Sequence, residues 1–503
     1  MTEPRHAFGP FVLEPAAGIL RRDGVAVAIG QRGLALLDSL LAAAGEPVGK
    51  DDLMAAAWPG LFVEEANLSV QIAALRKALG KAPDGQEWIA TVPRVGYRLP
   101  RGPALADSTP RPTRPSIAVL PFDSLPEDEY FADGMVEDII TALSRFKTFA
   151  VAARNAAFPF KGRTDTRAVA TALGVRYLLV GTIRRRADRL RVSVQLVDAD
   201  TATQLWAEQF DGEPSKLFEF QDSITESVVG LVEPEVRRAE IERARRKPPG
   251  RLDAYDLYLR ALPLFRGTSP AVRTEAIRLL EAAVELDPGF AIAAVHAAWA
   301  YERQDVFGGG MTQAERHRAI ELAELALDAG HDDPLVVAIA ALVFLNVAKE
   351  ANRSLAMLRQ ALAANPNNST ILSFNAFSNV MVGDLEFGRQ CFLRALHVAP
   401  GALDNYELLL GMGVAHLFKG EFEASLDWSL QALATNSEWL PTYWHIAAAY
   451  AHLDRMDEAR ATIATLLAKA PMMRMGDIER IASRFGPRLV ALVDGMRKAG
   501  LPA

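Results

Sequence analysis

The chain has 503 residues, half of them hydrophobic, a formal net charge of −7 and one cysteine, Cys391. That length supports about three domains with sizeable cores. The acidity excludes a globally basic protein, and one cysteine excludes intramolecular disulfides and cysteine-rich zinc sites, which suits a reducing cytoplasm. The longest apolar stretch, Leu335 to Ala348, holds 14 residues and includes Asn346, short of the ~20 that a membrane-spanning helix needs. Residues 1–20 lack the basic start and apolar run of an export signal. A cytoplasmic protein without a membrane segment is expected.

Ile19 to Arg22, Asp23-Gly24 and Val25 to Ile29 read as a hairpin, Asp-Gly being a strong turn signal. Leu34, Leu37, Leu40 and Leu41 form one face of a first helix. Leu53, Met54 and Trp58 belong to a second, which Pro59-Gly60 ends. Leu68, Ile72, Leu75 and Leu79 then recur at helical spacing and predict a third helix with a buried stripe. Its opposite face carries Ala66, Val70, Ala73, Ala74 and Lys77, flanked by Asn67, Ser69 and Arg76. From Ala66 to Pro83 there is no acidic residue, whereas Arg76, Lys77 and Lys81 are basic, a local excess that suits a phosphate backbone. Trp88 to Val92, the turn residues Pro93 and Gly96, and Tyr97 to Leu99 predict a second hairpin. Gly96 fits a position needing positive φ. Arg94 belongs at the tip, within reach of a minor groove or phosphate. Arg98 points outward between the inward Tyr97 and Leu99.

The run from Asn67 to Gly80, followed by Trp88-Ile-Ala-Thr-Val-Pro-Arg-Val-Gly-Tyr-Arg-Leu99, closely resembles the carboxy-terminal DNA-binding domain of OmpR/PhoB-type bacterial regulators. The resemblance covers about residues 7–100, a fifth of the chain. It implies a winged helix-turn-helix whose third helix and wing enter DNA. Asn67, Ser69, Val70, Ala73, Ala74, Arg76, Lys77, Arg94 and Arg98 then face the duplex. Where family members often carry arginine, histidine or threonine, this chain has Ala66, Gln71, Ala73 and Ala74, so few bidentate base readers are available. Val70 and the alanines suit thymine methyls, and Asn67 suits adenine. The same apolar face would also serve to dock a protein. A receiver domain ahead of the winged helix is not expected, and neither is phosphorylation of a receiver aspartate as the switch.

Arg101 to Pro115 holds four prolines and no apolar period, the composition of an extended, mobile linker. Ile117 to Pro121 reads as a buried strand and Phe149 to Ala152 as another. A helix is expected from Asp133, as N-cap, to Phe146, and a second over Thr166 to Leu173. Tyr177 to Ile183, Leu190 to Val197 and Gln204 to Phe210 predict three consecutive antiparallel strands, followed by a long helix from Leu217 to Val236. Ser116-Ile-Ala-Val-Leu-Pro-Phe122, Tyr130-Phe-Ala-Asp-Gly134 and Leu178-Leu-Val-Gly-Thr182 resemble a module similar to the amino-terminal domain of TolB and to FlgO. The resemblance implies a fold, not a chemistry. Arg184-Arg185-Arg186, Arg189 and Arg191 read either as an anion-binding patch or as a solvated strand edge, the second being expected. Arg237 to Lys247 mixes both signs and reads as a solvated helix end.

Beyond Asp253 the chain repeats. Ala276, Ala319, Ser354, Gly388, Ala424 and Ala459 recur at intervals of 43, 35, 34, 36 and 35, and Pro288, Pro334, Pro366, Pro400 and Pro471 close units. A ~34-residue period is that of tetratricopeptide repeats, whose helix pairs must stack to bury their faces. The long first interval contains Phe307-Gly-Gly-Gly-Met311, a flexible insertion that lacks the Gly-Lys-Ser/Thr of a phosphate loop. The eight histidines lack metal-ligand spacing, and no nucleophile elbow, Walker loop or Rossmann fingerprint occurs. His445 and His452, near Tyr443, Trp444 and Tyr450, would line a concave pocket or, more in keeping with their setting, pack in a core or on a surface.

The expected architecture is multidomain α+β. A winged helix DNA-binding domain (1–100), a flexible linker (101–115) and a TolB-N/FlgO-like α/β module (116–247) precede an all-α tetratricopeptide solenoid (251–471) and capping helices (472–503). The order of parts resembles HilA-like regulators. The expected function is a one-component, sequence-specific transcriptional regulator, not an enzyme, with no cofactor and no metal. Its expected partners are double-stranded promoter DNA, RNA polymerase, and a protein or peptide bound by the array through Tyr406, Tyr443 and His445. The alternative is an interaction adaptor whose winged helix contacts protein.

Overall fold

The computed structural model describes residues 6–8, 11–14, 19–22, 25–27, 29–43, 47–59, 63–81, 87–92, 95–99, 114–163, 165–186, 189–248, 250, 252–266, 269–307, 310–400, 405–485 and 487–503. They fall into two compact units, residues 1–110 and 111–503. Arg94, most of the linker and part of the glycine insertion lie outside the described residues.

In the first unit, β1 (His6–Phe8), β2 (Phe11–Glu14), β3 (Ile19–Arg22) and β4 (Val25–Val27) pair in sequence order as an antiparallel sheet. Three helices follow: α1 (Gln31–Ala42), α2 (Lys50–Ala57) after the short β5 (Val48–Gly49), and α3 (Glu65–Leu79). The hairpin of β6 (Ala90–Val92) and β7 (Gly96–Arg98) adds to β5 in the order β5-β7-β6. Leu68, Ile72, Leu75 and Leu79 are all buried, as their spacing requires, together with Leu53, Phe11, Leu13 and Leu20. On α1 the stripe is centred differently from expectation: Leu36, Leu37 and Leu40 are fully buried, while Leu34 and Leu41 are only partly so.

The second unit opens with β8 (Ser116–Val119), α4 (Glu129–Leu143), β9 (Ala150–Val151), α5 (Arg154–Ala157) and α6 (Thr166–Leu173). Then come β10 (Tyr177–Arg186), β11 (Arg189–Asp198), β12 (Thr203–Gly212) and the long α7 (Leu217–Arg246). The sheet order is β12-β11-β10-β8-β9, with the three long strands antiparallel and β8 parallel to both its neighbours. Helix α4 starts at Glu129, so Asp133 lies inside it rather than capping it. Helix α7 lays Ile224, Val228, Val232 and Val236 on the sheet and continues well past Val236. Its extension is not a solvated end. Glu240 is buried, accepts a 2.7 Å hydrogen bond from Tyr177 Oη, lies 3.7 Å from Arg176 Nη1 and pairs with Arg243. Lys247 Nζ donates to the buried Asp256 at 2.6 Å. Burial of charge is tolerated here because the charges are paired and hydrogen-bonded.

Twelve helices carry the array among the described residues: α8 (Ala254–Ala261), α9 (Pro270–Leu286), α10 (Ala291–Phe307), α11 (Gln313–Gly330), α12 (Pro334–Val343), α13 (Ala351–Ala364), α14 (Ser369–Val382), α15 (Leu385–Val398), α16 (Asn405–Lys419), α17 (Phe422–Thr435), α18 (Leu440–His452) and α19 (Met456–Lys469). Two more, α20 (Met475–Phe485) and α21 (Val490–Lys498), pack after them. Ala276, Ala319, Ser354, Gly388 and Ala459 are buried as expected. In the fifth unit the close-packed position belongs to Ser425, fully buried, one residue beyond the half-buried Ala424. Helix α7 touches the array directly: a Cβ on Gly230 would lie 1.9 Å from the Val398 carbonyl oxygen at the end of α15. The array also closes on itself. The Arg303 guanidinium on α10 lies 5.5 Å from the ring centre of Trp439, just before α18, and Arg480 Nη1 on α20 donates to the Asp305 carbonyl at 3.5 Å. Among the described residues no helix is long and apolar enough to cross a membrane.

Candidate nucleic-acid interface

The stripe that buries one side of α3 exposes the other. Ala66, Asn67, Ser69, Val70, Ala73, Ala74 and Lys77 are all exposed, Val70 to 64%. Gly80 ends the helix at a positive φ of 68°, a conformation glycine adopts without cost. Arg98 is exposed on β7 between buried Tyr97 and Leu99, as the alternation of a strand requires. Among the described residues neither Lys77 nor Arg98 forms an ion pair, so both charges are open to an anion.

Arg76 departs from expectation. Its Nε and Nη2 donate to the Ile89 carbonyl at 2.9 and 2.6 Å, Nη2 also donates to Thr91 Oγ1 at 2.9 Å, and the guanidinium lies 6.0 Å from the Tyr97 ring centre. This half-buried fork binds the wing to α3 instead of waiting for phosphate. Arg76 is therefore a positioning residue, because a guanidinium presents several donors in fixed geometry and here spends them on the strand. Ser69 Oγ sits 3.5 Å from Tyr97 Oη, a second tie between helix and wing. Gly96 also differs: its φ is not positive, and what demands glycine is the neighbouring strand, since a Cβ would lie 2.0 Å from the Val48 carbonyl oxygen.

Sequence reasoning missed the pair of Lys50 and Glu65. The Glu65 carboxylate beside it holds the Lys50 ammonium above its ordinary range. The pairing offsets an anionic charge in the first turn of α3, where it would otherwise repel phosphate. No periodicity links residues 15 apart, so nothing in the sequence marks this pair.

The other expected sites resolve differently. Tyr406, Tyr443 and His445 are buried to 2%, 5% and 6% exposure, which corrects the expectation that they form an interaction surface. Tyr443 Oη donates to the Ser437 carbonyl at 2.9 Å, His445 Nδ1 contacts the Pro441 carbonyl at 2.9 Å, and Tyr406 packs against Trp439. Burial pushes the His445 imidazole down to about 4. His452 stacks on Phe422 at 4.4 Å. Cys391 is buried, which pushes its thiol up to about 11. In the arginine cluster Arg191 forms a two-point pair with Asp211 at 2.7 and 2.9 Å, and Arg185 pairs with buried Asp128, the behaviour of a strand edge rather than an open anion site. Among the described residues no group of three or more His, Cys, Asp or Glu is placed to hold a metal.

Residues 24–99 match the family described as "Transcriptional regulatory protein, C terminal". Residues 113–227 match "HilA/YgeH-like transcriptional regulator, second domain". The chain is 38% identical over 251 residues to a protein of Rhizobium meliloti (strain 1021) named as adenylate cyclase 3, covering 48% of this chain and 42% of that one. It thus spans less than half of that relative. It is 23% identical over 405 residues to the transcriptional regulator HilA of Salmonella paratyphi A, covering 80% of this chain and 71% of HilA. Among solved structures, the DNA-binding domain of E. coli CadC is 27% identical, with 20% of this chain and 96% of that chain covered at a TM-score of 0.19. The chain carries the OmpR/PhoB-type winged-helix DNA-binding domain of a transcriptional regulator, followed by a HilA-like second domain and an array of paired helices.

Proposed function

We propose that the chain is a one-component, sequence-specific transcriptional regulator that acts in the cytoplasm on promoter DNA, with RNA polymerase as the machinery it influences. The observation that carries this reading is the outer face of α3. It is exposed along its length, apolar at Val70, Ala73 and Ala74, and edged by the open charges of Lys77 and Arg98. Such a face inserts into a major groove, reading methyl groups by contact while the cations meet phosphates. Asn67 is the one exposed amide on that face suited to an adenine edge. The clamp made by Arg76 fixes the distance between helix and wing, so both can engage one duplex. The array receives the signal or partner that controls this engagement.

Selection from a random duplex pool with the full chain tests the reading. Enrichment of one motif, bound with an affinity that falls steeply with salt, is expected. A folded chain that enriches nothing contradicts it. One observation favours a second reading: the exposed apolar patch around Val70 also suits a protein surface. Failure to enrich DNA would leave that adaptor role standing. The relative named as a cyclase raises an enzymatic reading. We propose a non-enzymatic regulator, so the purified chain given ATP and Mg²⁺ should form no cyclic nucleotide.

A further inference from the structure

Where the array closes on itself, its first and last repeats line a half-open cavity of about 470 Å³. That is within the ~300–1,000 Å³ of pockets that hold small organic ligands. Arg273 and Arg303 line it from the first repeat and Arg480 from α20, against one lining carboxylate, Asp477. Its apolar walls include Phe265, Trp439 and Trp444. Arg303 is held edge to ring by Trp299 and Trp439, each 5.5 Å from its guanidinium, and Nη2 donates to the Phe265 carbonyl at 3.0 Å. It also lies 3.9 Å from Glu407 Oε1, so its position is fixed before any ligand arrives.

Two further observations concern what belongs there. Trp444 is only 5% exposed, and its indole N–H finds no acceptor among the described residues. A buried donor left unsatisfied is costly, so an acceptor entering the cavity is favoured. Burial and the positive charge of Arg303 together push the Arg273 guanidinium down. An anion placed beside them would reverse that repulsion.

We infer that this cavity binds a small organic anion, a carboxylate on a flat apolar body, with the carboxylate met by Arg273, Arg303 and the Trp444 N–H and the body packed between Phe265 and Trp439. This specifies the signal that the array receives under the functional reading above. Because the walls come from both ends of the array, a ligand bridges its first and last repeats and stabilises the closed arrangement.

Calorimetry on the full chain tests this with indoleacetate, benzoate and octanoate, and with tryptophol as the neutral counterpart of indoleacetate. Saturable one-site binding of a carboxylate is expected, with tryptophol weaker by about tenfold, ~1.4 kcal/mol. Trp444→Phe should weaken carboxylate binding while the ligand-free melting temperature holds or rises, because the ring is kept and an unpaired donor is removed. Arg273→Met should weaken it further, with the neutral compound unaffected. A melting curve for each variant separates lost binding from lost fold. The inference is overturned if no carboxylate binds saturably at millimolar concentration. It is also overturned if tryptophol binds as well as indoleacetate, or if both variants bind like the parent. A chain that binds DNA but no carboxylate would sink this inference alone. A chain that binds a carboxylate but no DNA would sink the regulator reading and leave the cavity.

Discussion

Two adjacent cations on α3 do different work, although the sequence presents them as equals. Lys77 is exposed and open; Arg76 is spent on Ile89 and Thr91. Lys77→Ala should leave the melting temperature unchanged and lower the slope of log affinity against log salt by ~0.9, the loss of one phosphate contact. Arg76→Ala should lower the melting temperature and weaken binding by freeing the wing, and Arg76→Lys should not rescue it, since an ammonium cannot reproduce the fork. Anisotropy across a salt series, with a thermal melt of each variant, checks both. The buried histidines give a pH prediction. Burial pushes His296 and His445 from 6.5 down to about 4. The unfolded chain therefore binds more protons than the folded one between those values, so stability falls as pH drops through that window. Each contributes at most roughly 3 kcal/mol, fully present above the unfolded value. Thermal melts from neutral to acidic pH should show the loss, and His296→Gln with His445→Gln should flatten it.

At the scale of elements, helix α7 joins the sheet of the second unit to its repeats. Gly230 permits this by letting the Val398 carbonyl approach. Gly230→Ala should destabilise by ~1–3 kcal/mol, the usual cost of overpacking a close contact. A denaturant melt of the full chain would show it, and an unchanged midpoint would mean that α7 and α15 part easily. Much at this scale was legible beforehand. The spacing of Leu68, Ile72, Leu75 and Leu79 fixed which side of α3 is buried, and strand alternation fixed the outward Arg98. What escaped was contact between elements distant in sequence. Gly96 is glycine because of Val48, Glu240 is buried against Tyr177 and Arg176 some 63 residues earlier, and Tyr443 and His445 are interior because neighbouring helices close over them. A repeat pattern says which positions pack within a pair. It does not say that the array will fold back until its first and last repeats meet.

In the whole molecule a DNA-binding unit of residues 1–110 precedes a second unit, in which the α/β module and the repeats are packed together. The chain is net acidic, yet residues 66–100, the segment proposed to meet DNA, carry five basic and two acidic residues. The central claim is that the exposed face of α3 enters DNA. Val70 tests it most directly, because at 64% exposure it contributes little to the fold yet sits mid-face. Val70→Asp places a negative charge against the duplex at no expected structural cost. Affinity of the full-length variant for a selected duplex should be lost, with an unchanged melting temperature. Binding as tight as the parent's, with the same salt dependence, would contradict the account.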